Sequence, residues 1–213
     1  FQEMIPFKSI SILSGPSFSN EVSQSLPTAV TLATKDKKDF ENISKLIPNK
    51  EFRIYYSNDL IGTQIGGALK NIYAIAAGIA EGLNLGENAK SALISRSFAE
   101  MARYAKKFKA DKNTLFGLSG LGDLILTCSS KNSRNTQFGI KLASSKYDNF
   151  LDLLKSQEVT EGYYTVKAVY NISQKKNIDM PIMESVYNIL YKQHDLKEEL
   201  SNLLSRPITE EKI

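Results

Sequence analysis

With one cysteine, Cys128, this chain of 213 residues has no intrachain disulfide and no cysteine-rich metal site. A single thiol suits a reducing compartment and the role of a buried, inert packing group. His194 is the only histidine, which excludes a multi-histidine metal centre, and its place near a helix end predicts solvent exposure. No metal is expected. The charge excess is small, +4, and the densest lysine group, Lys35 to Lys38, is interrupted by Asp36 and followed by Asp39. That is a solvated turn rather than a nucleic-acid stripe, so no nucleic-acid partner is expected. No uninterrupted apolar run reaches the roughly 18 to 20 residues that span a bilayer, and no basic-then-apolar leader opens the chain. We expect no membrane insertion and a cytoplasmic location. Internal repeats and low-complexity segments are absent too.

What the chain does have is a long apolar stretch, Asp59 to Leu83. Ile61, Ile65, Leu69, Ile72, Ile75, Ala76 and Ile79 recur at three- and four-residue spacing, predicting one helix with a buried face. One charge, Lys70, sits mid-helix. Gly62, Gly66, Ala74 and Gly78 lie along the four-residue row around it, with Gly67 three residues before it. Glycine inside a helix costs about 1 kcal/mol relative to alanine, so this cluster has a reason. Two readings stand: close helix packing with Lys70 reaching water, or a hollow in which a desolvated lysine serves as a base.

Before this helix the chain reads β–α–β–α–β. Phe1 to Met4 ends a helix. Strands follow at Ser9 to Ser14, Thr28 to Thr34 and Phe52 to Ser57, with helices from Ser17, as cap, and over Lys38 to Leu46. After it only helices are predicted: Asn88–Phe108, a short one capped by Asp111, Asn132–Ala143, Tyr147–Ser156, Glu161–Lys175, Pro181–Gln193 and Asp195–Leu204. The fold class is mainly α. A small α/β piece, 1–58, precedes a helical domain, 59–213.

Three stretches carry chemistry. Gly15-Pro16-Ser17 joins a strand to a helix, where free N–H groups meet anions. Gly117-Leu118-Ser119-Gly120-Leu121-Gly122-Asp123 predicts positive φ values and a fixed carboxylate; Asp123 either caps the next helix or pairs with Lys70. Asn132-Ser133-Arg134-Asn135 opens a helix with a hydroxyl, an amide and a guanidinium, a good phosphate cradle. Val159-Thr160-Glu161-Gly162-Tyr163 reads as a helix start. A lysine, an aspartate and a phosphate cradle suit acid–base chemistry on a small phosphorylated polyol or carbonyl compound; a Schiff base on Lys70 fits equally well.

The segments SGPSFSNEV, IGTQIGGALKNIYAIAAGIAEGL, LSGLGDLILTCSSKNSRN and VTEGY, in this order and spacing, closely resemble the bacterial-type NAD(P)-dependent glycerol-3-phosphate dehydrogenases. The resemblance runs from about Ser11 to the C-terminus. It implies an oxidoreductase that interconverts dihydroxyacetone phosphate and sn-glycerol 3-phosphate for phospholipid synthesis, with NAD or NADP as cofactor, acting as a homodimer. It implies that Lys70 is the proton-transferring residue and that Gly15, Ser17, Lys70, Asn71, Asp123, Ser133, Arg134 and Asn135 bind substrate. Ser19, Arg134, Val159 and Glu161 would contact the cofactor. Serine stands at 17 where the family more often has threonine, and at 19 where alanine is usual.

The family opens with a Rossmann half bearing G-x-G-x-x-G, and no such motif occurs in this chain. The resemblance therefore implies that residues 1–58 are a remnant of that domain, that the chain is the C-terminal two-thirds of an enzyme, and that by itself it is inactive. Two other readings remain: a related 6-phosphogluconate or β-hydroxyacid-type dehydrogenase, and a non-catalytic helical dimerisation or phosphate-binding module.

Overall fold

A computed structural model describes residues 9–47, 50–144, 160–207 and 210–211. The helices expected at Phe1 to Met4 and Tyr147 to Ser156 lie outside them. Three strands, β1 (Ser11–Ser14), β2 (Thr28–Thr34) and β3 (Phe52–Ser57), form a sheet in that order. β1 runs antiparallel to β2, while β2 and β3 are parallel. β2 is the central strand, and its β-branched and small residues are nearly all buried, Val30 and Ala33 completely. On the outer strands Leu13 and Tyr55 are about half exposed, at 49% and 48%. The links are α1 (Ser19–Ser23) and α2 (Lys37–Lys45), the latter capped by Asp36, which accepts from the Lys38 N–H at 2.9 Å.

The start of α1 departs from expectation. Ser17 does not cap it; its hydroxyl donates to the Gly15 carbonyl at 3.0 Å, and the helix begins two residues later. Gly15 itself has φ +148°, a region L side chains rarely adopt.

From residue 59 the described structure is helical: α3 (Leu60–Gly82), α4 (Gly86–Lys107), α5 (Lys112–Phe116), a π-helical turn (Leu118–Gly122), α6 (Asp123–Ser129), α7 (Arg134–Ala143), α8 (Glu161–Lys176), α9 (Pro181–Lys192) and α10 (Leu196–Leu204). α3 is the hub, packing against every helix from α4 to α9 and against β1 and β2. Hence it is buried on all sides from Ile72 to Ala80, not on one face, and only near its start does an expected core residue, Ile61, stay exposed at 45%. Each buried isoleucine or leucine here contributes about 1.5–3 kcal/mol. Asp59 caps α3 through the Gly62 N–H at 2.9 Å and accepts from the Asp111 N–H at 2.8 Å, tying α3 to the start of α5.

The helical glycines mostly serve close approach. A Cβ on Gly78 would lie 2.1 Å from the Thr136 carbonyl oxygen, and one on Gly139 would lie 2.2 Å from that of Ile75. α3 and α7 therefore cross with backbone against backbone. Gly66 packs the same way under the π-helical turn, where a Cβ would lie 2.0 Å from the Ser119 oxygen. Packing explains Gly66 and Gly78; Gly67 lines the cleft near Lys70, close against Ser14.

Glu100 on α4 has no counterpart in the sequence reading. It is 1% exposed, and its carboxylate accepts from the N–H groups of Ile182 at 2.6 Å and Met183 at 3.1 Å. It thereby caps α9, whose first residue, Pro181, has no N–H to satisfy. Burial pushes its pKa up to about 7. His194 is exposed as expected, its Nδ1 lying 2.8 Å from the buried Glu199 carboxylate.

Candidate active site

The crossing of α3 and α7, together with the π-helical turn against Gly66, brings three helix starts to one face of α3. A cleft of about 740 Å³ opens there, between the Ile12–Asn20 segment on one side and α3, α6, α7 and the start of α8 on the other. This volume lies in the range of small-molecule sites, about 300–1,000 Å³.

Lys70 projects into the cleft from the middle of α3. Its ammonium donates to Asp123 Oδ2 at 2.6 Å. The lysine side chain is 22% exposed and the aspartate 3%, so the carboxylate is fixed and the ammonium faces the cleft. Of the two readings of Asp123, the pairing with Lys70 is the one realised. The route to it differs from expectation. None of Gly117, Gly120 and Gly122 has positive φ. The segment forms a π-helical turn running straight into α6, and the glycines let its backbone pass close to α3 and to Leu115. Asp123 is thus a first-turn residue of α6, where a carboxylate also suits the helix dipole.

Thr127, one turn along α6, went unremarked in the sequence. Its hydroxyl donates to the Asp123 carbonyl at 2.6 Å and lies 3.3 Å from Asp123 Oδ1. The signal was the four-residue spacing from Asp123, which stacks the two side chains on one face. Thr136 Oγ1 donates in turn to the Thr127 carbonyl at 2.7 Å, joining α6 to α7. Cys128 beside them is wholly buried and its thiol is pushed up to about 12 by burial, an inert group as expected.

Ser133 caps α7, accepting from the Thr136 N–H at 3.2 Å. Asn135, 4% exposed, uses both ends of its amide within the protein: Nδ2 donates to Asn71 Oδ1 at 3.0 Å, and Oδ1 accepts from the Gly162 N–H at 2.9 Å. It therefore bridges α3, α7 and α8. The bridge requires glycine at 162, where a Cβ would lie 2.6 Å from the Asn71 carbonyl oxygen. Asn71 Nδ2 completes the chain with a long bond to the Gly67 carbonyl at 3.4 Å.

The clamp also sets Glu161 opposite Arg134, and the two form an ion pair at the cleft mouth, 51% and 76% exposed. The sequence reading placed both residues here without foreseeing their pairing. Gly15, Ser17 and Ser19 line the opposite wall. Of the candidates named from the sequence, Val159 alone lies outside the described residues. Among the described residues no cluster of three or more His, Cys, Asp or Glu side chains could hold a metal, and no helix is long and apolar enough to cross a membrane.

Comparison with known proteins bears directly on this cleft. Residues 59–201 match the family model described as NAD-dependent glycerol-3-phosphate dehydrogenase C-terminus, and residues 1–40 match that of its N-terminus. A glycerol-3-phosphate dehydrogenase (NAD(P)+) of Solidesulfovibrio magneticus is 47% identical over 201 residues, 94% of this chain and 60% of the relative. One from Francisella tularensis is 42% identical over 99% of this chain and 63% of its own length. The chain thus spans about 60% of the length of these relatives. Among solved structures, the Coxiella burnetii glycerol-3-phosphate dehydrogenase superposes with a TM-score of 0.88 at 38% identity, covering 93% of this chain and 61% of that one. The Plasmodium falciparum enzyme gives 0.83 at 28% identity, covering 94% and 58%.

Proposed function

Because the chain belongs to the NAD-dependent glycerol-3-phosphate dehydrogenase family, we propose that its cleft takes dihydroxyacetone phosphate and sn-glycerol 3-phosphate and interconverts them. The observation that carries this reading is the Lys70 ammonium, held by a buried Asp123 at 2.6 Å and opening on the same cleft as Arg134. In reduction Lys70 donates a proton to the C2 oxygen as the carbonyl becomes an alcohol; in oxidation it takes that proton back. Asp123 keeps the ammonium aimed at the cleft, and Thr127 braces Asp123.

The phosphate lies at the start of α7. The helix N-terminus, the Ser133 hydroxyl and the Arg134 guanidinium provide charge-assisted donors there. Asn71 and Asn135 complete the substrate pocket, and Gly15 with Ser17 closes its far side. NAD or NADP, when bound, supplies or accepts the hydride at C2. The residues present fit the nicotinamide end of such a cofactor. Ser17, Ser19 and Asn20 offer polar groups along one wall. Gly67 on the same cleft lets Ser14 approach α3, since a Cβ there would come 3.1 Å from Ser14 Oγ. Ser19, Arg134, Val159 and Glu161 are its proposed contacts. Residues 1–58 belong to the nucleotide-binding part and 59–213 to the substrate part. A homodimer in the cytoplasm, supplying phospholipid synthesis, completes the proposal.

The test is turnover by a full-length protein carrying this sequence, with dihydroxyacetone phosphate and 6-phosphogluconate offered in parallel with each nicotinamide cofactor. Oxidation of the reduced cofactor by dihydroxyacetone phosphate is expected. Turnover of 6-phosphogluconate alone, or of neither compound, contradicts the reading.

A further inference from the structure

Among the described residues lining the cleft, the charged ones are Lys70, Asp123, Arg134 and Glu161, two cations and two carboxylates. They form two pairs, so the cleft offers no net positive charge to an incoming phosphate dianion. The pairs differ in mobility. Asp123 is 3% exposed, and Thr127 Oγ1 lies near its second oxygen. Glu161 is 51% exposed, and among the described residues its carboxylate pairs with Arg134 at the cleft mouth. Its backbone is held by the neighbouring clamp of Gly162 on Asn135, so the carboxylate is kept within reach of Arg134 while its outer face stays in water.

We propose that Glu161 is a displaceable counter-ion: it holds Arg134, and a phosphate monoester must take the guanidinium from it in order to bind. Glu161 then sets the affinity for phosphate through Arg134, as a positioning and specificity-determining residue that does not itself touch the phosphate. This rests on the reading that Arg134 receives the substrate phosphate. The physical basis is competition between two anions for one planar, bidentate donor. Asp123 cannot yield in the same way, because releasing it would leave a buried carboxylate unpaired.

An ion pair this exposed corresponds to a factor of roughly two to five in an equilibrium constant. Isothermal titration of the 213-residue chain with inorganic phosphate and with sn-glycerol 3-phosphate, near neutral pH and at low and high salt, is the direct test. Glu161→Gln is expected to bind both probes roughly two- to fivefold more tightly than the parent, with the gain shrinking at high salt. Arg134→Ala is expected to lose binding, and the double variant to match Arg134→Ala, because the effect of Glu161 passes through Arg134. A merely structural role for Glu161 would weaken binding or leave it alone, and would persist without Arg134. If Arg134→Ala loses binding while Glu161→Gln gains none, the counter-ion proposal is overturned and the phosphate reading stands. Unchanged binding in Arg134→Ala, or no binding by either the parent or Glu161→Gln, overturns both.

Discussion

Lys70 on α3 and Asp123 at the start of α6 meet at 2.6 Å across 53 residues of sequence. The contact depends on a π-helical turn that passes over Gly66 at backbone distance. Removing the charge of Asp123 while keeping its shape tests what the contact does. Asp123→Asn, assayed in a full-length enzyme carrying these residues, should lower kcat by about 10²-fold with a much smaller change in KM, since a misaimed proton donor costs about that much. A rise in KM with kcat unchanged would show instead that Asp123 binds substrate.

Gly139→Ala probes the crossing that sets α7 in place. The added methyl would fall 2.2 Å from the Ile75 carbonyl oxygen, which belongs to the backbone of the hub helix and cannot step aside. Overpacking of this kind costs about 1–3 kcal/mol. The melting temperature should drop and phosphate affinity should fall with it, because Ser133, Arg134 and Asn135 ride on the same helix. A variant as stable as the parent would mean that the crossing relaxes freely.

Much of this arrangement was legible in the sequence, and the misses share a cause. The periodicity of Ile65, Leu69, Ile72 and Ile75 declared α3, and the cap at Asp111 is a local pattern that the structure repeats. Lys70, Asp123 and Arg134 stood out because a charge on an apolar helix, an acid after glycines and an arginine in a first turn each break a local rule. The antiparallel pairing of β1 with β2 and the negative φ values at Gly117, Gly120 and Gly122 depend on what packs where. So do the Asn71–Asn135 amide pair and the Glu100 cap on α9, whose partners lie 64 and more than 80 residues apart. Spacing along a chain carries no record of such meetings.

Glu100 predicts a pH dependence of stability. Its carboxyl titrates near 7 in the folded protein because burial disfavours the charge, against an ordinary value of 4.5. A raised pKa means that the folded state holds the proton more tightly. The resulting stability is fully present below about 4.5, is lost as pH rises to about 7 and stays flat above, a change of roughly a few kcal/mol. Glu100→Gln should remove this slope and carry a constant cost, because the amide presents a donor to one of the two N–H groups of α9. Equilibrium unfolding followed by circular dichroism from acid to neutral pH gives the comparison; equal slopes in the two proteins would show that Glu100 does not titrate in this range.

The most direct measurement is single-turnover reduction of dihydroxyacetone phosphate by Lys70→Ala in a full-length enzyme carrying this sequence, alongside binding of the reduced cofactor. Positioned acid–base catalysis is worth about 10²–10⁴-fold. The rate should fall by at least that lower figure while cofactor affinity stays nearly unchanged. A variant that keeps more than about a tenth of the parent rate would contradict the assignment of proton transfer to Lys70.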